Sequence, residues 1–323
     1  MQFWCLICLY LLPLPAAAQT LPKLNVATTE SALDGETQHV YWWAPDVASD
    51  RDVPLFVFLH SWSSDYRQDN SKWFREAVRR DWIYLHPDFR GINQSLKACG
   101  SRYARRDILD AVVWATQELN VDQDRIYLAG VSGGGHMSML MAGHHPELFS
   151  AVSAWVGISD LSQWHAFHTR NDPPSKYARM IEQSLGGPPG MDADRDADYR
   201  DRSPVFHLHR AKDLPVSIWA GVNDGHTGSV PVSHALEAFN AIARGRGDEQ
   251  ITGDEISQLV TRRQLARPRS GDAEFDNALD RQIFLRRKSG PSMVTIFDGG
   301  HESIPDAACD WLARHRRTAV LPE

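Results

Sequence analysis

The sequence predicts an α/β protein: a mainly parallel central sheet with helices on both faces, a small cap, and an insertion before the last strand. Three observations carry that prediction. Apolar runs without a polar break, the clearest being Leu55-Phe56-Val57-Phe58-Leu59, suit strands buried on both faces. These runs alternate with helical patterns, the order that parallel crossovers produce. Finally, Gly130-Val131-Ser132-Gly133-Gly134 stands between a strand signal and a helix signal. A length of 323 residues with 42% hydrophobic content is enough for one large core and excludes a disordered chain. The net charge of −7 supplies no basic field for broad nucleic-acid binding.

The elements follow in order. Leu24 to Thr29 and Gln38 to Ala44 alternate roughly and flank Asp34-Gly35, so they read as an antiparallel pair. Pro54 introduces the strand Leu55 to His60. Lys72 to Arg80 reads as an amphipathic helix, and Trp82 to His86 as a strand stopped by Pro87. Arg105 to Leu119 puts Ile108, Val112, Ala115 and Leu119 on one helical face. The strand Ile126 to Ala129 precedes a helix from Gly134 to His145, ended before Pro146. Ala151 to Val156, Val216 to Ala220 and Val294 to Phe297 continue the sheet. Trp164 to Tyr199, rich in Pro, Gly and Asp, is the expected cap. The polar stretch 243–290 is the expected insertion, with a helix near Asp254 to Val260 and a strand near Ile283 to Arg287. Residues 19–323 are expected to form a single domain.

The chemistry concentrates at Ser132. The pattern G-x-S-x-G between a strand and a helix is a nucleophile turn, where tight backbone leaves almost no room for neighbouring side chains. The helix N-terminus behind the serine offers free N–H groups to a developing oxyanion. Serine needs a base, and in this architecture the order is Ser, acid, His. His301, just after the last strand, is the best base, and Asp224, at a strand end in Gly221-Val222-Asn223-Asp224-Gly225, the best acid. Asp160 and Asp298 are rival acids. His136, four residues after Ser132, is expected to point away from the reaction. For the oxyanion hole the residues point to the N–H of Gly133 and that of Trp62, with Ser61 the near alternative. The Trp62 indole would either line the acyl pocket or pack as an aromatic lid. Ser61, His226 and Trp164 are candidate substrate contacts, and Trp164, His165, Phe167 and His168 would either stack on substrate or pack the cap. His207-x-His209 and His144-His145 carry neither H-E-x-x-H nor a Cys pair, so no metal is expected. No phosphate loop or dinucleotide fingerprint appears, so no cofactor is expected.

The stretches Asp124 to His136, Pro146 to Ala151, Ala220 to Asp224 with Val230-Pro231, and Gly299-Gly300-His301 resemble the α/β-hydrolase superfamily. Within it they resemble the catalytic domain of prolyl-oligopeptidase-like (S9-type) proteins. The resemblance implies a serine hydrolase with a Ser132–Asp224–His301 triad. It departs in three places: Ser61 stands where the family has Gly, the Asp224 to Val230 segment is longer, and the insertion lengthens the Asp224 to His301 spacing. The stretch between Gln19 and Val53 is too short for the N-terminal β-propeller of the family's oligopeptidases. That favours an esterase, acting on acyl, feruloyl or polysaccharide-linked esters, small or polymeric, over a peptidase of small peptides, for which Glu302 would be an amine anchor. A binding protein without catalysis is a third reading.

Met1 to Thr20 carries no charge, Phe3 to Leu14 is almost wholly apolar, and Ala16 and Ala18 fit an A-x-A cleavage site. Residues 1–18 therefore read as a signal peptide, with a secreted or periplasmic destination. The absence of Lys or Arg before the apolar run leaves an uncleaved anchor as the alternative. Cleavage removes Cys5 and Cys8 and leaves Cys99 and Cys309, either bridged by a disulfide or two buried thiols.

Overall fold

The computed structural model describes residues 20–317; the segment 1–18 read as a signal peptide lies outside the described residues. The chain enters the fold as an antiparallel hairpin, β1 (Asn25–Glu30) and β2 (Thr37–Trp43). The turn between them carries Gly35 at φ +71°, a left-handed position that suits glycine. Then come β3 (Val53–Leu59), α1 (Ser71–Arg79), β4 (Ile83–Pro87), α2 (Arg102–Glu118), β5 (Val121–Val131), α3 (Gly133–His144) and β6 (Ala151–Trp155). Three helices follow without a strand, α4 (Leu161–His168), α5 (Lys176–Leu185) and α6 (Ala193–Asp201). The chain closes with β7 (Val216–Gly221), α7 (Ser233–Arg246), α8 (Gly253–Arg262), β8 (Phe275–Asp276), β9 (Arg281–Ser289), β10 (Ser292–Phe297) and α9 (Pro305–Leu312).

The 10-stranded sheet has the order β1-β2-β4-β3-β5-β6-β7-β10-β9-β8. From β4 to β10 all neighbours are parallel, and the antiparallel pairs lie at the two edges. The predicted α/β class is therefore right. Every residue of β3, β6, β7 and β10 is buried, as continuous apolar runs require when helices cover both faces. α3 is buried along almost its whole length, so its Met, Leu, Ala and Gly residues show no polar stripe. Local signals mark several starts. Ser101 caps α2 by accepting from Ala104 N–H, and Thr252 and Glu255 form a reciprocal capping box on α8.

Two sequence expectations need correction. The stretch 243–290 is not wholly an insertion: its first residues end α7, and its strand, β9, joins the main sheet beside β10. Nor do Cys99 and Cys309 form a disulfide; both are free and buried. Cys99 belongs to the small apolar cluster under the cap, and Cys309 to the main core on α9, so the folded chain holds them in different clusters. Burial pushes the Cys99 thiol up to about 12 and raises that of Cys309 too, leaving both protonated and inert at neutral pH. Among the described residues no helix is long and apolar enough to cross a membrane.

His86, His136 and His234 are sealed in the interior, and burial holds their pKa values at about 4, about 4 and about 3. In the unfolded chain each titrates near 6.5, so between about pH 6.5 and pH 4 the unfolded state binds the extra protons. Stability is expected to be full above that window and to fall as pH drops through it, by about 1.4 kcal/mol per unit for each histidine. A Tm series across the window reads this; a flat Tm would contradict it. Reduction with dithiothreitol is expected to leave the Tm unchanged, and a thiol reagent should reach Cys99 and Cys309 only after unfolding.

Candidate active site

Ser132 sits between the end of β5 and the start of α3 with φ 59° and ψ −114°. A serine rarely adopts such backbone, and the surroundings must enforce it. They do so by close approach. A Cβ on Gly130 would collide with the carbonyl of Gly134, and one on Gly134 with the carbonyl of Leu59. Ser132 N–H donates to the Trp155 carbonyl at 2.9 Å, which ties the turn to β6. Among the described residues no protein group bonds the Ser132 hydroxyl.

The expected acid and base, Asp224 and His301, lie in the loops after β7 and β10. The Asp224 side chain is fully buried, and its Oδ2 accepts from His301 Nδ1 at 2.7 Å. Its Oδ1 accepts from Gly225 N–H at 3.0 Å and Val230 N–H at 3.1 Å. The lengthened Asp224 to Val230 segment thus wraps the carboxylate. A Cβ on Gly228 would strike Asp224 Oδ1 and approach His301 Cβ at 2.8 Å. His301 keeps 27% of its side chain exposed, so Nε2 remains available once Nδ1 is committed to Asp224. The rivals are otherwise engaged or placed: Asp160 Oδ1 caps α4, accepting from Ser162 N–H at 2.9 Å and Gln163 N–H at 3.0 Å, while Asp298 is exposed.

The two expected oxyanion donors face one site. Gly133 opens α3, so its N–H has no acceptor within the helix. A Cβ on Gly133 would overlap Trp62 N, which places the two backbones in contact. Ser61 N–H is spent on Gln68 Oε1 at 2.7 Å. Trp62 N–H makes no backbone hydrogen bond among the described residues. Between the two sequence alternatives, geometry therefore favours Trp62.

For two aromatic residues the packing alternative holds over the substrate one. The Trp62 indole does not line an acyl pocket: it is 2% exposed and packs edge-on against Trp164 at 4.6 Å. Trp164 is not a stacking platform either, being fully buried with its Nε1–H donating to the Ser229 carbonyl at 2.7 Å. Both anchor the cap cluster with Leu161, Ile181, Leu185 and Tyr199. His165 and His168 are buried with them, and only Phe167 reaches solvent appreciably. His136 points into this cluster, its Nε2 donating to the Arg202 carbonyl at 2.8 Å, away from the reaction side as expected. Ser61 is half-buried beside Trp62. His226 is exposed and donates to the Val260 carbonyl at 2.8 Å, which ties the acid loop to α8. A groove of about 540 Å³ opens there between Phe167 and Arg170 on one side and His226, Val260 and Thr261 on the other. Arg170 and Thr261 carry no sequence signal, because both lie in stretches without a motif.

A sequence model of the prolyl oligopeptidase family matches residues 70–260, more than half of the chain. The chain belongs to the prolyl oligopeptidase family. It is 27% identical over 210 residues to dipeptidyl aminopeptidase BIII of Pseudoxanthomonas mexicana, covering 61% of this chain and 29% of that one. It is 40% identical over 52 residues to an acetylxylan esterase of Coprinopsis cinerea, covering 16% and 14%. The chain spans less than half the length of the curated relatives it matches. Oligopeptidase B from Leishmania major superposes with a TM-score of 0.57 at 16% identity, over 90% of this chain and 35% of that one, and an acylaminoacyl peptidase from Pyrococcus horikoshii with a TM-score of 0.56 at 16% identity, over 71% and 36%. That likeness shows the fold, and the family is one of serine hydrolases.

The close approach makes a direct prediction. Gly134→Ala is expected to cost at least about 3 kcal/mol, because backbone rather than a flexible side chain must move. Urea unfolding of the variant, or its loss from the soluble fraction, checks this.

Proposed function

We propose that the chain is an exported serine esterase in which Ser132 is the nucleophile, His301 the general base and Asp224 the group that orients it. The observation that carries this reading is the 2.7 Å contact of His301 Nδ1 with the buried Asp224 carboxylate. It lies at the same carboxyl edge of the sheet that presents strained Ser132. With the Nδ1 proton held by Asp224, Nε2 carries the lone pair that takes the Ser132 proton. Ser132 Oγ attacks the ester carbonyl, and the N–H groups of Gly133 and Trp62 receive the oxyanion. Collapse expels the alcohol, which takes its proton from His301, and water then repeats the sequence to free the acid. Residues 1–18 serve as the export signal in this reading, and sequencing of the secreted chain should begin at Gln19.

An ester is favoured over a peptide by the state of Glu302. A peptidase of small peptides needs a free carboxylate for the substrate's amino terminus. Glu302 Oε1 already accepts from Gly300 N–H at 3.2 Å, and Oε2 lies 3.9 Å from Arg281. The second reading, peptidase, is supported by the similarity to dipeptidyl aminopeptidase BIII, which extends over 61% of the chain.

The purified protein should be assayed on p-nitrophenyl acetate and butyrate, a feruloyl ester, and Ala-Pro and Gly-Pro amides. Ester turnover is expected, with Ser132→Ala lowering kcat by about 10,000-fold or more and Asp224→Asn by a similar factor. Amide cleavage that is lost in Ser132→Ala, with esters silent, would replace esterase by peptidase. No turnover and no labelling of Ser132 by a fluorophosphonate would remove the triad itself. Trp164→Phe removes the bond to the Ser229 carbonyl and is expected to lower kcat about tenfold with KM little changed, with kcat referred to active sites counted by fluorophosphonate labelling so that a smaller folded fraction does not mimic the effect.

A further inference from the structure

At the far end of α3 from Ser132, three side chains from separate stretches of chain converge. His144 is the last residue of that helix, and Asp201 the last of α6. His207 follows in the segment leading to β7. A Cβ on Gly143 would press against His207 Cβ at 2.7 Å, so glycine there lets this segment close onto the helix. The two imidazoles lie 4.1 Å apart between ring centres, tilted by 40°. One potential ligand atom from each of His144, Asp201 and His207 falls within 4.8 Å of the others.

The hydrogen bonds show which lone pairs are free. His207 Nε2 donates to the carbonyls of Asp201 at 3.0 Å and Arg200 at 3.3 Å. In the neutral ring the lone pair therefore sits on Nδ1, which is buried without a hydrogen-bond partner. His144 Nε2 is also buried without a partner. Asp201 Oδ2 is held by the Arg105 guanidinium at 2.9 and 3.0 Å, which leaves Oδ1 uncommitted. An imidazole whose other N–H is fixed by a carbonyl, and a carboxylate fixed from behind, are the outer supports that metal ligands use.

We propose that His144, His207 and Asp201 form a binding site for a divalent transition-metal cation, zinc being the best match. Two imidazoles and one carboxylate suit zinc, with water in the fourth position. Tetrahedral ligands at about 2.1 Å stand about 3.4 Å apart, so closure asks each side chain to move by about 1 Å. α3 is a dozen residues long, so the site lies roughly 18 Å along it from the nucleophile and takes no part in bond cleavage. It pins the end of that helix to the segment between the cap and β7. The sequence expectation of no metal rested on the lack of an H-E-x-x-H motif or a Cys pair; of the four histidines it weighed, His145 and His209 do not join, since His145 pairs with Glu147 and His209 is exposed. The carboxylate that completes the set comes from Asp201, which no spacing announces.

The untagged full chain should be stripped with chelator, dialysed, and titrated with zinc by calorimetry and by thermal melting. One zinc per chain is expected, with the Tm rising by about 4 °C at a hundredfold excess over Kd. His144→Gln, His207→Asn and Asp201→Asn, each checked for folding by circular dichroism, should weaken binding by more than about tenfold and remove the Tm rise. Controls His145→Ala and His209→Ala should change neither. Absence of stoichiometric binding overturns the proposal. So does binding that survives in a folded ligand variant, which would place the ion on other histidines. If one variant fails to fold, the other two carry the comparison.

Discussion

The backbone of Gly133 and Gly134 lies against the backbone of Trp62 and Leu59, and the rest of the active edge depends on that contact. It requires side-chain-free residues on the helix side, and in exchange it brings an N–H from each of two segments to one point. Ser132 stands at φ 59° in the same turn from β5 into α3. Strain at Ser132 and convergence of the two donors thus meet at one turn. The bond from Ser132 N–H to Trp155 O and the burial of α3 hold the turn against relaxation.

The cap extends this constraint to the other half of the site. Trp62 is fixed at its backbone by α3 and at its ring by Trp164. Trp164 in turn donates to Ser229, and the neighbouring Val230 N–H donates to Asp224 Oδ1. A continuous path of packing and hydrogen bonds therefore links the Ser61–Trp62 loop to the Asp224 loop. This accounts for two large aromatic residues lying sealed beside a site where the sequence suggested substrate contacts. Their burial holds backbone in place, and the solvent-facing wall falls to Phe167, Arg170 and His226.

The hydrophobic patterning made the parallel centre of the sheet readable. Runs such as Val53–Leu59 and Ser292–Phe297 are buried on both faces, so composition alone marks them. β9 was harder, because Arg281, Arg286, Arg287 and Lys288 give it a charged surface at the sheet's margin. The sequence marks a strand near Ile283 to Arg287 there but assigns it to an insertion, and its place in the main sheet is set by pairing with β10. The disulfide alternative failed for a related reason. Two cysteines in a sequence say nothing of which cluster each will join.

By itself the sequence determined the α/β class, the serine turn between strand and helix, and the carboxylate and imidazole that the fold brings together. These follow from local rules: glycine where backbone must touch backbone, serine between strand and helix, and carboxylate and imidazole at strand ends. Tertiary structure alone decided matters that depend on partners distant in sequence. It chose Trp62 over Ser61 by spending the Ser61 N–H on Gln68, and set Asp160 aside by using it as a helix cap. It turned Trp62 and Trp164 inward, and it joined Asp201 to His144 and His207. A donor, an acceptor or a lone pair is free only if nothing else in the folded chain has taken it, and that accounting closes only in three dimensions.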